Sequence, residues 1–302
     1  MKTVSLTPAQ FRQAFRTETQ CRAFVFARKY PDGFTCKHCS HAKHHEIERR
    51  GCWECAKCGY QESAKAGTLF HKSKLPLTTW FQAIFEITIR KGGISALELQ
   101  HRLGRTRYQP VWEMLHKLRV AMMVRDERYQ LKGEVELDGA IFGRKITGTA
   151  TKVYLAVESK TVAGAKRPIP GYAKALVSGR FTKDKIGKFA KRYLGPHTKV
   201  RTDGGVEVHG VKAVQVVTLN RKVMAGNQQR LDKHLPWVHT LISNTKSALV
   251  GTHHGVSAPY LQLYLSEQTY RFNRRRVRNQ LQTRLVTAAV DFGKWRSPAI
   301  CG

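Results

Sequence analysis

Acidic side chains are scarce in this chain. Its 302 residues carry 21 Asp and Glu against 53 Lys and Arg, a formal net charge of +32. A compact body with that charge repels itself unless a polyanion lies against it, so nucleic acid is the expected partner. Apolar runs approaching 18 residues are also missing, which excludes a membrane-spanning helix. There is no amphipathic terminal anchor either, which argues against a membrane surface. The first eight residues, Met1 to Pro8, lack the apolar stretch of a signal peptide. No internal repeat or low-complexity segment is visible. The compartment expected from these features is a reducing cytoplasm, where thiols serve metals rather than disulfides.

Of the seven cysteines, four stand in two Cys-x-x-Cys pairs, Cys36/Cys39 and Cys55/Cys58. Two such pairs joined by a hairpin-length segment read as a four-thiolate structural zinc site. Cys52 forms a second Cys-x-x-Cys with Cys55 and leaves the pairing ambiguous; Cys55 and Cys58 are preferred because Tyr60 and Gln61 restart a strand after them. Cys21 and Cys301 are expected to be buried or free thiols.

The chain then changes character twice. Residues 1–64 hold the ribbon and a helical lead-in, with Thr7 as N-cap and Pro8 opening the first helix. From 65 the spacing turns helical. Ser95, followed three residues later by Glu98 and closed by Gly104, bounds one helix. A second runs from about Arg107 to Met123, with Val111, Met114, Leu115, Leu118 and Met122 on one face. Helix, glycine turn, helix is a helix-turn-helix pattern, and Arg105, Arg107, Lys117 and Arg119 are its expected DNA contacts. From about 130, strands alternate with helices: 134–138, 152–158, 175–177 and 199–205 as strands, 182–193 and 258–272 as helices. The fold class expected is multidomain α+β.

Two aspartates stand out. Asp138 and Asp203 each follow a strand pattern and precede a glycine, and on neighbouring strands they would hold a pair of divalent cations for in-line attack on a phosphodiester. Between Lys145 and Arg201 only Glu158 and Asp184 are acidic. At the far end Tyr270 and Phe272 with Arg274, Arg275 and Arg276 suggest a basic-aromatic DNA surface.

Taken together, the ribbon, Ala66 to Phe81, the Gly92-Gly93-Ile94-Ser95-Ala96 turn and helix, Glu136 to Gly139, Thr202 to Gly204, Gly251 to Val256 and Tyr270 to Arg275 resemble bacterial insertion-sequence transposases with an N-terminal zinc ribbon. The resemblance spans roughly residues 20–276. It implies a zinc ribbon with helical lead-in (1–64), a helix-turn-helix region (65–128), a ribonuclease H-like α/β domain of the DDE type with a mixed sheet (129–290) and a tail (291–302). It implies Mg²⁺ or Mn²⁺ at Asp138 and Asp203, double-stranded DNA as substrate at element ends and target, a homodimer or higher oligomer on DNA, and a place at the bacterial nucleoid. A DDE enzyme wants a third acid on a later helix, and none lies in Trp237 to Lys246. The remaining acids are Glu207, Asp232, Glu267 and Asp291. A branch of the family uses Asn followed by Lys, which implies Asn244 as third metal-facing residue and Lys246 as phosphate binder. Helical spacing keeps His239 as an alternative, because it lies seven residues before Lys246 and shares its face. A DNA-binding regulator that has lost catalysis is the competing function, with an RNA-processing nuclease as a third.

Overall fold

The computed structural model describes residues 5–143, 150–164, 167–203, 211, 215–218 and 234–295; Gly204, Glu207, Asp232 and Cys301 lie outside them. The chain divides into two compact units, Met1–Arg125 with Val277–Gly302, and Asp126–Arg276.

In the first unit, α1 (Pro8–Ala14) and α2 (Glu18–Lys29) each open on a capping box, Thr7 with Gln10 and Thr17 with Gln20. A three-stranded antiparallel sheet follows, β1 (His44–Ile47), β2 (Cys52–Cys55) and β3 (Gln61–Ser63). A single 3₁₀ turn, Glu48–Arg50, joins the first two strands and ends on Gly51 at φ 59°. The helix α3 (Leu77–Ile89) is buried nearly all round, through Leu77, Trp80, Phe81, Ile84, Phe85 and Ile87. It starts at Pro76 with no side-chain cap of its own. The Glu18 carboxylate of α2 supplies the acceptor instead, taking the N–H of Leu77 at 2.9 Å and of Thr78 at 3.1 Å. Then come α4 (Ala96–Arg102) and α5 (Tyr108–Asp126). Ser95 accepts the Glu98 N–H at 3.1 Å, and Gly104 takes φ 59° after α4, as the sequence pattern requires.

The second unit is built on a five-stranded sheet of order β6-β5-β4-β7-β8, from β4 (Glu134–Phe142), β5 (Thr151–Lys160), β6 (Ile169–Val177), β7 (Lys199–Thr202) and β8 (Gln215–Thr218). The pairs β4–β5 and β5–β6 are antiparallel; β4–β7 and β7–β8 are parallel. The parallel connection from β6 to β7 runs through α6 (Lys183–Tyr193), capped by Thr182. Strand alternation gives the sheet two apolar faces. Val135, Leu137, Tyr154 and Ala156 pack on Ile186, Phe189 and Tyr193 of α6. Ala140, Phe142, Val153, Leu155 and Val157 pack on α7 (Pro236–His253) and α8 (Ala258–Asn273). The α+β class is the one the sequence predicts.

Two local expectations change. Asp138 does not end its strand: β4 continues to Phe142, and Asp138 pairs with Leu155 in mid-strand. Gly139 makes no turn there. A Cβ at that position would meet Cζ of Phe181 at 2.9 Å, so the missing side chain admits the ring. The boundary expected at residue 290 falls at Arg276. Beyond it, α9 (Leu281–Val290) belongs to the first unit and packs on α2 and α3, with Ala289 O accepting the Leu69 N–H at 2.9 Å.

The end of α8 is tied by charge. Arg274 is 6% exposed and donates to Asp126 Oδ1 at 2.6 Å, while Asn273 Nδ2 donates to Oδ2 at 2.9 Å. Lys174, also buried, donates to the Asp126 carbonyl. Asp126→Ala would leave a buried guanidinium without its counter-ion, so a loss on the order of 3–5 kcal/mol is expected. Urea unfolding monitored by circular dichroism measures it; a loss under about 1 kcal/mol would contradict the arrangement.

Candidate active site and metal centre

The ribbon brings its four thiols together because β1 and β2 are in register with Ile47 opposite Cys52 and His44 opposite Cys55. Cys36 Sγ lies 3.6 Å from Cys58 Sγ, and Cys39 Sγ 3.5 Å from Cys55 Sγ; all four ligand atoms fall within 4.8 Å of one another. A tetrahedral ion with bonds of about 2.3 Å sets its sulfurs about 3.8 Å apart, so the four thiols fit zinc with no open position. Burial opposes ionisation of Cys55, yet the amides of Cys58 and Lys57 with the neighbouring thiols bring its pKa down to about 6. Cys52, buried in the same strand, stays outside the cluster. Glu62 of β3 holds the ribbon against α2: buried, it accepts from Lys29, from Lys37 at 2.9 Å and from the Tyr30 hydroxyl at 3.0 Å.

In the second unit, β7 lies parallel to β4 with Glu136 opposite Arg201. This is the last pair of the ladder; Asp138 stands two residues beyond it in β4, and Asp203 directly follows the end of β7 at Thr202. Within β4, Asp138 lies an even step from Glu136 and so projects to the same side of the sheet. Adjacent strands run about 4.8 Å apart, a spacing at which two carboxylates can share a pair of cations. Asp138 is half-buried, and both its oxygens are occupied. Oδ1 accepts the Gly139 N–H at 2.7 Å, and Oδ2 lies 3.3 Å from His239 Nε2. Thr202 Oγ1 stands 3.4 Å from Asp203 Oδ1.

The helix α7 presents Val238, Leu241, Thr245 and Leu249 to the core. His239 and Lys246 lie on one flank of that stripe, a near-whole number of turns apart. The Lys246 ammonium reaches 5.7 Å from the centroid of Phe142, four residues along β4 from Asp138. Asn244 is exposed, and at about 100° per residue it sits roughly 140° around the axis from His239, on the other flank. The helix is continuous through this stretch, so its geometry brings His239, not Asn244, to Asp138. Glu267 stands elsewhere: it is fully buried on α8 and paired with Arg271 at 2.8 Å.

Glu136 was missed by sequence reasoning. Two residues before Asp138, it faces the same side, is fully buried, and accepts the N–H groups of Trp237 and Val238 at 2.7 and 3.0 Å. These are the second and third helical residues of α7, whose first, Pro236, has no N–H to satisfy. The other Glu136 oxygen takes Arg201 Nη2 at 3.1 Å, and Arg201 also donates to Ser159 at 2.8 Å. Burial pushes this carboxyl above the usual range, while the Val238 and Trp237 amides, Ser159 and Arg201 pull it back. Its only sequence signal was its even spacing from Asp138.

The predicted DNA-contact residues divide. Arg105, Arg107, Lys117 and Arg276 are exposed. Arg119 is 1% exposed, because it lies in the stripe of Leu115, Leu118 and Met122 on α5. Tyr270 is fully buried with Arg274 stacked on it at 3.5 Å, and Arg275 donates to the carbonyls of Gly171 at 3.0 Å and Phe272 at 2.7 Å. Arg274 and Arg275 thus serve the fold, and the basic-aromatic surface expected there does not form as such.

A family model described as an ISXO2-like transposase domain matches residues 130–273, and one described as a transposase zinc-ribbon domain matches residues 16–61. No curated protein and no solved structure matches the chain.

Zinc content should separate the cysteines: Cys36→Ser is expected to lose the bound zinc, whereas Cys52→Ser keeps one equivalent, as read by metal analysis of the purified chain. Glu136→Ala leaves two buried amides unpartnered and takes from Arg201 its nearest carboxylate. An expected cost on the order of 3–5 kcal/mol should come with faster hydrogen exchange at Trp237 and Val238; unchanged exchange there would refute the capping role.

Proposed function

Since the chain belongs to the insertion-sequence transposases with an N-terminal zinc ribbon, we propose that it binds the ends of its own element as duplex DNA and catalyses their hydrolysis and transfer to target DNA. The single observation that carries this reading is His239 Nε2 at 3.3 Å from Asp138 Oδ2; the parallel pairing of β4 with β7, whose end leads into Asp203, supports it. The sheet order, three antiparallel strands followed by two parallel ones, supports a ribonuclease H-like catalytic domain. The helix, glycine turn and helix over Ala96–Asp126, with Arg105 and Arg107 exposed in the turn, support a helix-turn-helix.

The donor set suits hard cations. Two carboxylates offer oxygen ligands and leave room for water and phosphate oxygens, which fits Mg²⁺ or Mn²⁺. Held by Asp138 and Asp203, such ions would supply the positive charge that an attacking and a leaving phosphodiester oxygen require. The protein's own groups do the positioning. Gly139 N–H and His239 Nε2 fix the two Asp138 oxygens and so set the direction of the remaining lone pairs. His239 occupies the third corner in place of an acid. Lys246, on the same flank of α7, offers its ammonium to a DNA phosphate. Asn244 faces away from this corner. No helix among the described residues is long and apolar enough to cross a membrane. Joining two element ends needs two such sites, so the working form on DNA is at least a dimer.

The test is hydrolysis and strand transfer on DNA carrying the sequences that flank the coding region, with Mg²⁺ or Mn²⁺. Asp138→Ala and Asp203→Ala should abolish cleavage and spare binding. His239→Ala should cost about 10- to 100-fold, as losing a partner that orients a metal-facing carboxylate does, and Asn244→Ala should cost little. If wild type and Asp138→Ala behave alike, the regulator reading replaces this one.

A further inference from the structure

The ribbon carries a second feature that the zinc site does not use. Between the 3₁₀ turn Glu48–Arg50 and residues 71–76 lies a groove of about 590 Å³, formed wholly within the first unit. Its walls are cationic: Arg49 and Arg50 on one side, His71, Lys72 and Lys74 on the other, all exposed. Lys65 crosses the floor, donating to the carbonyls of Ser73 at 3.1 Å and Leu75 at 2.5 Å. Two acids border the groove. Glu18 is committed to the N–H groups of Leu77 and Thr78 and so offers little negative charge to the opening. Glu48 alone remains. Arg22 is neutralised by Glu46 at 2.7 Å.

Arg49, Lys72 and Lys74 have no carboxylate within ion-pairing distance among the described residues. Elsewhere in the chain comparable cations are spent on the fold, as Arg28, Lys29, Arg201 and Arg274 are. Lys72 also sits at φ 57°, in the left-handed region that a long side chain rarely occupies. Lys72 and Lys74 both line the opening. Concave shape and uncompensated cations from two separate segments are what a sugar–phosphate backbone needs, since phosphate contacts come from Lys, Arg and backbone amides and carry no sequence information. We infer that this groove seats the phosphate backbone of duplex DNA and contributes affinity rather than sequence choice. The inference rests on the transposase reading for DNA as the partner.

The experiment is fluorescence anisotropy of the full chain with a labelled duplex, between about 50 and 200 mM salt. A triple variant, Arg49→Gln with Lys72→Gln and Lys74→Gln, is compared with wild type and with a control that removes equal charge from α6, Lys183→Gln with Lys185→Gln and Lys191→Gln. Each lost phosphate contact lowers the slope of log affinity against log salt by about 0.9, so the groove variant should lose about 2–3 in slope. The control should lose less than about 1. Unchanged zinc content and circular dichroism establish that the variants are folded. A loss in the groove variant no larger than the control's would overturn the groove, because net charge alone would explain it. If that variant keeps the wild-type slope and cleaves normally, the groove falls and the transposase reading stands. Wild-type protein that binds no duplex sinks both.

Discussion

The carboxylate of Glu136 is the contact on which the second unit depends. It is fully buried in β4, where an isolated charge would be costly. What keeps it there is complete satisfaction: two amides at the start of α7 on one oxygen and the Arg201 guanidinium on the other. Those three bonds tie together β4, β7 and α7. Asp138 lies two residues beyond Glu136 on β4, and His239 directly follows the capped Val238 on α7. The Glu136 cap and the His239–Asp138 contact therefore report on the same placement of α7 against β4. A buried ion pair is weak evidence for stability, but here it fixes register, which the candidate site needs more than it needs stability.

Glu18 does the same for α3. Both helices start at or next to a proline, lack a local side-chain cap, and are covered by a glutamate from another element. A chain this short of acids places several of them where they do structural work: Glu136 and Glu18 on helix ends, Glu62 on the ribbon's lysines, Asp126 on Arg274, Asp291 on Arg28. Much of the surface is left to cations. The excess charge is therefore unevenly distributed. Arg119 and Arg274 are absorbed by the interior, while Arg49, Lys72 and Lys74, around one groove, have no ion-pair partner among the described residues.

This distribution decides what the sequence could reveal. Local signals were legible because they act over a few residues: the Thr7 N-cap with Pro8, Ser95 with Glu98, Gly104, and the two Cys-x-x-Cys turns. The strands were legible through alternation, though their ends were not, because β4 and β6 extend through residues that are half-buried or glycine. Asp138 read as a strand end because a glycine follows it; the glycine answers the Phe181 ring across the sheet, a contact between residues 42 apart in the chain. Glu136 was illegible for the same reason. An alternating Glu in a strand looks like a solvent-facing residue until the helix it caps is known, and that helix begins 100 residues later. Arg119 and Arg274 read as DNA contacts because composition cannot distinguish a solvated arginine from one buried with a distant partner. Helical spacing from Lys246 kept His239 in play beside Asn244, and in the continuous α7 it is His239 that approaches Asp138.

An imidazole in place of a third acid changes the electrostatics of the proposed site. With Asp138 and Asp203 alone, the carboxylates bring two negative charges to a place that must hold two divalent cations, inside a chain of net charge +32. The protein cannot neutralise that much positive charge itself. A DNA phosphate brings the missing negative charge and oxygen ligands. On the proposed reading, cations and DNA therefore favour each other's binding, and by linkage the coupling is equal in both directions. A fully acidic triad would hold cations more tightly without DNA. On the same reading, His239 in place of an acid would leave the site dependent on its substrate to become complete.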